Sequence, residues 1–124
     1  MEQDFMREDR NLSPCETIIM KAIWDAGQDI SLMDLMAVLK EKYGKDYART
    51  TIATFLLKLS EKDFVRTYRK GKASYAHAIR SEEEYKAKLM EEQNDFWYQG
   101  QPTELVSALC KTGRLTKSDV EGIR

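Results

Sequence analysis

The sequence predicts a mainly helical protein in which three helices and a two-stranded hairpin are followed by further helices. Three observations carry that expectation. Apolar residues recur at helical spacing in successive blocks between Ile18 and Leu59. Val, Thr and Tyr crowd both sides of a glycine turn at Lys70-Gly71-Lys72. Helix-start and helix-stop residues punctuate every block.

Ser13-Pro14-Cys15-Glu16 sets a hydroxyl at an N-cap, proline at the first helical position and a carboxylate that can reach back. The helix it opens carries Ile18, Ile19, Ala22, Ile23 and Ala26 with Trp24 beside them, and Gly27 ends it. Ser31 with Asp34 repeats the start signal, Leu32, Leu35, Met36, Leu39 and Tyr43 follow, and Gly44 closes the second helix. The third, Thr50 to Lys62, has Ile52, Phe55, Leu56 and Leu59 on one face and Thr51, Thr54 and Lys58 beside or opposite it.

Phe64 to Lys70 and Ala73 to Ile79 read as the hairpin. Ser81 to Glu84 caps a fourth helix, with Tyr85, Leu89 and Phe96 on one stripe and Met90 and Trp97 on the next, broken at Gly100 and Pro102. Thr103 to Thr112 is a short apolar helix closed by Gly113, and Thr116 with Asp119 caps a last turn or two. Three helices and a hairpin in this order make a winged helix-turn-helix, with residues 12–80 as that domain, 81–124 as a helical dimerisation region and 1–11 as a flexible arm.

Composition narrows the function. A chain of 124 residues, 42% hydrophobic and 33% charged, has room for one compact core and suits a soluble, helical protein. No apolar run reaches a membrane-spanning length, and Met1 to Asn11 lacks the apolar stretch of a signal peptide, so a cytoplasmic protein is expected. Cys15 and Cys110 sit in apolar helical patterns and are expected to be buried thiols. With His77 as the lone histidine, there is little material for a zinc site or a nucleophile and base pair, so no metal, cofactor or catalytic activity is expected.

The formal net charge is -1, but residues 40–72 hold ten Lys or Arg against four Asp or Glu, a local +6 that leaves -7 for the remainder. In a helix-turn-helix the second helix of the pair enters the major groove with short polar and basic side chains. Arg49, Thr50, Thr51 and Thr54 are therefore the candidates for base contact, and Lys45, Lys58, Arg66, Arg69, Lys70 and Lys72 for the DNA backbone. A solvated Thr-rich face explains the same pattern equally well, so a winged-helix protein-interaction module without sequence-specific DNA binding stays open. Tyr47, Tyr68 and Tyr75 read as packing residues, and His77 as a strand-surface residue.

Tyr85, Leu89, Phe96, Trp97, Leu105, Val106 and Leu109 amount to more apolar surface than short helices hide alone, which points to a homodimer interface. The alternative is that the tail folds back on the winged domain.

The segments Leu12-Ser13-Pro14-Cys15-Glu16 leading to Ile23-Trp24, Thr50-Thr51-Ile52-Ala53-Thr54-Phe55-Leu56-Leu57-Lys58-Leu59, and Gly71-Lys72 give the chain a family likeness from Leu12 onward. It resembles the penicillinase and methicillin-resistance repressors, a family that includes copper-transport repressors. The resemblance implies a dimeric winged-helix repressor on a palindromic operator in double-stranded DNA, controlling resistance genes, with Thr51 and Thr54 on the recognition helix. It also implies that Trp97-Tyr98-Gln99-Gly100 and Leu105-Val106 begin the dimerisation region, near which a membrane-linked signalling protease cuts some members. Ala48 stands where members often have a hydroxyl cap, and Asp63 where a glycine commonly ends the recognition helix. The copper-responsive branch uses a C-terminal cysteine cluster, whereas Cys110 stands alone here.

Overall fold

The computed structural model describes residues 11–122, so all of the expected N-terminal arm except Asn11 lies outside the described residues. The chain divides into two compact units, one ending at Tyr85 and the other starting at Lys86. The first contains α1 (Pro14–Ala26), β1 (Ile30–Ser31), α2 (Leu32–Tyr43), α3 (Arg49–Glu61), β2 (Val65–Lys70), β3 (Ala73–Ala78) and the opening turn of α4 (Glu82–Tyr98). The second holds the rest of α4, then α5 (Pro102–Lys111) and α6 (Lys117–Glu121).

Local chemistry sets the helix ends. Ser13 Oγ accepts from the Glu16 N–H at 3.2 Å while Glu16 Oε1 accepts from the Ser13 N–H at 2.8 Å, a complete capping box. Gly27, at φ 72°, takes the left-handed conformation that stops α1. In α2 only half of that box forms: Ser31 Oγ accepts from the Asp34 N–H at 3.1 Å. Thr116 and Asp119 make a second full box at α6.

The end of α3 is less ordinary. Asp63 N–H bonds Ser60 O at 3.0 Å and Phe64 N–H bonds Leu59 O at 2.9 Å, the paired closure of a Schellman motif. Asp63 itself has φ 66°, so a side-chain-bearing residue occupies the place that glycine takes without steric cost.

Three helices and the sheet enclose one core. Ile19, Met20, Leu35, Leu39, Ile52, Leu59 and Phe64 are fully buried in it. Strands run antiparallel in the order β1-β3-β2, with Tyr68 opposite Tyr75 and Lys70 opposite Ala73 beside the tight turn at Gly71. β1 was not foreseen: Ile30 and Ser31 pair with Ala76 and Tyr75, a match between segments far apart in sequence. Cys15 and Cys110, expected buried, are half-buried, because each lies at the margin of its helix's apolar face.

Glu16 is the one buried charged residue of this core among the described residues, at 3% exposure. Lys62 Nζ lies 2.7 Å from Glu16 Oε1 and also donates to Asn11 O, tying the start of α1 to the end of α3. Burial pushes the Glu16 carboxyl up, but the hydrogen bonds from Lys62 and from the Ser13 N–H outweigh it and hold the group below the ordinary carboxylate range.

Tyr85 closes this unit. Its ring meets Phe64 edge-on at 5.4 Å and Trp24 at 5.8 Å, and its hydroxyl accepts from the Leu12 N–H at 3.3 Å. The second unit is built differently, since none of the residues of α4, α5 or α6 is buried. The winged helix-turn-helix predicted from sequence, followed by C-terminal helices, is the fold observed.

Candidate nucleic-acid interface

With 3.6 residues per turn, α3 presents two opposed stripes. Ile52, Leu56 and Leu59 are buried and hold the helix to the core. Thr50, Thr54, Leu57 and Glu61 recur at i, i+4, i+7 and i+11 on the far side, and all are exposed. Thr51 and Lys58, also exposed, flank that outer stripe. The helix therefore offers a ridge that begins with short hydroxyl side chains, which allow close approach to another surface, and ends in Leu57 and Glu61.

Thr54 Oγ1 donates to Thr50 O at 3.0 Å. Its hydroxyl hydrogen is committed to the helix, which leaves its methyl group and oxygen lone pairs for a partner. Leu57, 61% exposed, continues the ridge with apolar surface. Sequence periodicity missed it, because a leucine in a helical block is assigned to the core by default; its spacing from Thr50 and Thr54 was the available signal.

Arg49 departs from the other expected base contacts. It precedes Ile52, Leu56 and Leu59 at i+3, i+7 and i+10, so it stands on the inward stripe, exposed because it lies beyond the edge of the core. There it lines a concave surface of 440 Å³ with Lys70 and Lys72 of the wing and with Ser31, Met33, Ser74 and Tyr75. Ala48 gives the helix no side-chain cap, and its first turn carries no acidic residue. The positive end of the helix dipole is thus left uncompensated beside these cations.

The remaining basic candidates separate. Arg69 Nη2 donates to Lys72 O at 3.4 Å and braces the wing turn. Arg66 pairs with His77 across the hairpin, on the strand face opposite the buried Val65 and Ala76, the face that also carries Tyr68, Lys70 and Tyr75. Lys58 is on the other flank of α3, its ammonium 6.0 Å from the Phe55 ring centre, beside a 730 Å³ cavity lined by Leu12, Ser13, Pro14, Glu61 and Lys62. Lys45, directly after α2, is half-buried.

The wing is anchored at its base. Asp29 accepts from the Tyr68 hydroxyl at 2.6 Å and meets His77 Nδ1 at 2.8 Å. Those two bonds, Tyr68 first, lower the Asp29 carboxyl below its ordinary value, and the shared hydrogen bond raises the Tyr68 phenol. Tyr68 stacks on Tyr75 at 5.6 Å and 13°, so both rings pack as expected and stiffen the hairpin.

In the second unit Leu105 and Val106 are half-buried and Leu109 is 43% exposed, all on α5. On α4, Leu89 is half-buried, while Phe96 and Trp97, at 46% and 63% exposure, contact each other edge-on at 4.8 Å. Tyr85, expected among these interface residues, instead has its ring and hydroxyl engaged by the first unit.

Among the described residues no group of three or more His, Cys, Asp or Glu is placed to hold a metal ion, and no helix is long and apolar enough to cross a membrane. The solution structure of the DNA binding domain of the repressor BlaI is similar to this chain at 24% identity with a TM-score of 0.52, over 64% of this chain and 94% of that one. At that identity the likeness bears on the fold. No curated protein matches the chain significantly. Residues 12–124 match the family described as penicillinase repressor, nearly the whole chain and both of its units, and the protein belongs to that family.

Proposed function

We propose that this chain is a cytoplasmic, homodimeric transcriptional repressor that lays two copies of α3 in successive major-groove half-sites of a palindromic operator and so excludes polymerase from the promoter. The observation that carries the reading is the outer ridge of α3, where Thr50, Thr54 and Leu57 are exposed with Thr51 and Lys58 beside them. Short hydroxyl and methyl groups suit base edges and thymine methyls in a major groove. Lys45, Lys58, Arg66, Arg69, Lys70 and Lys72 supply backbone contacts around that ridge.

The dimer is held by Leu89, Phe96, Trp97, Leu105, Val106 and Leu109, a set from which Tyr85 is withdrawn. Support for this comes from three large apolar side chains, Phe96, Trp97 and Leu109, that stay more than two-fifths exposed in one copy of the chain. The genes under control are resistance genes, and a membrane-linked protease releases the operator by cutting near the start of the dimerisation region. What supports both is the match to the penicillinase repressor family.

Titrating the purified chain with a duplex from the promoter of its own gene and with a random duplex, over a salt series, tests the reading. Binding by a dimer with a log-log salt slope of about -5 per half-site is expected. Thr51→Ala should lose ~1-3 kcal/mol of preference for the promoter duplex. Equally weak binding to both duplexes with a shallow slope returns the chain to the class of protein-interaction modules.

A further inference from the structure

We propose that Arg49, Lys70 and Lys72 form one seat for a single sugar-phosphate unit of the DNA backbone, and that Arg49 holds the strand there without reading a base. The inference rests on the reading of α3 as a recognition helix and assigns its N-terminal arginine a different task. Arg49 shares its stripe with Ile52, Leu56 and Leu59, which face the core, whereas Thr50, Thr54 and Leu57 face outward. From that inward stripe, at the first turn, Arg49 lines one concave surface with Lys70 and Lys72 of the wing.

The second observation is the concave surface itself. Its 440 Å³ lining contains three cations from two elements and no carboxylate. Lys21, Lys42 and Lys62 each have a carboxylate within 4 Å, but among the described residues no ion pair forms at Arg49, Lys70 or Lys72. Like charges gathered in a shared concavity repel one another until an anion enters, which makes the arrangement costly alone and favourable when filled. A guanidinium grips a phosphate through two parallel N–H bonds, and the lysines add point charge.

Met33 is the third. It is 61% exposed on the same surface, an apolar side chain with no core to serve. Tyr75 lines the surface too, held by its stack on Tyr68 and through it by Asp29. Together they form an apolar ledge beside the cations, which matches the deoxyribose that accompanies each phosphate. Arg69 fixes Lys72 by donating to its carbonyl oxygen. Because the seat is shared by α3 and the wing tip, the strand it grips sets how α3 enters the groove.

The test uses the full chain and the promoter and random duplexes, with Arg49→Gln, Arg49→Lys and Lys72→Gln. Arg49→Gln should weaken binding to both duplexes by the same factor, about threefold to tenfold at moderate salt, and flatten the salt slope by about 1. Arg49→Lys should keep the slope. A set of promoter duplexes, each with one phosphate replaced by neutral methylphosphonate, then locates the contact. The same replacement should abolish the effects of both Arg49→Gln and Lys72→Gln. An affinity loss confined to the promoter duplex with an unchanged slope overturns the seat, as do two different phosphates for the two variants, while the repressor reading survives. If the parent chain binds neither duplex, the repressor reading falls and takes the seat with it.

Discussion

The two units of this chain are made of similar helices and differ in what those helices bury. In the first, Phe64, Ile19, Leu35 and Leu59 are sealed in a common core, and Tyr85 and Trp24 pack over its edge. In the second, α4 beyond Tyr85, α5 and α6 have no fully buried residue, though Leu89, Leu105 and Val106 are half-buried. A helix gains most of its stability from burying one face. The first unit therefore has its own reason to fold, and the second leaves Phe96, Trp97 and Leu109 exposed, the surface that the proposed dimer would cover.

The largest expected effect separates the two units directly. Phe64→Ala should cost about 3-5 kcal/mol of unfolding free energy, because a fully buried ring leaves a cavity in contact with Tyr85 and under Arg80. Phe96→Ala should leave the urea midpoint of the monomer almost unchanged and shift the association equilibrium measured by sedimentation. A collapse of monomer stability in Phe96→Ala would mean that the tail owns a core after all.

Next comes truncation after Tyr85. The shortened chain should keep its circular dichroism and cooperative melting, sediment as a monomer, and lose on the order of 100-fold or more in affinity for a two-half-site duplex, since the second half-site no longer binds as a tethered event. A truncated chain that still dimerises would move the interface into the winged unit.

A smaller effect concerns the charged link inside the first unit. Lys62→Met should cost about 2 kcal/mol, below the range for a fully buried pair because the Lys62 side chain is 20% exposed. The folded Glu16 carboxyl lies below its ordinary value of 4.5, so this link stabilises the fold fully above that pH and is lost as pH falls through the lower folded value. In Lys62→Met that acid-side loss should shrink, because burial then acts on Glu16 with less opposition. Urea titrations between pH 2.5 and about 6 read the difference.

The smallest is a gain. Asp63→Gly should stabilise the first unit by about 0.5-1 kcal/mol, since φ 66° strains a residue with a Cβ. DNA affinity should not change, and a loss of stability would show that the Asp63 side chain makes up for its backbone.

Much of this architecture is legible in the sequence. Capping boxes and glycine stops act over three or four residues, so Ser13, Ser31, Thr116, Gly27 and Gly44 marked helix ends that the structure places within a residue of expectation. The hairpin around Gly71 was equally local. So was the burial of Ile52, Leu56 and Leu59, which follows from helical periodicity alone.

What folding decided was which distant groups meet. A strand of two residues, Ile30–Ser31, has no period to read and exists because β3 offers it a partner. Tyr85 had the spacing of an interface residue, and only the assembled core shows Phe64 and Trp24 waiting for its ring. The same holds for Asp29 between Tyr68 and His77, and for Arg49 beside Lys70 and Lys72. Periodicity and capping are encoded within a few residues and survive in the sequence, whereas a contact between elements depends on how the whole chain packs.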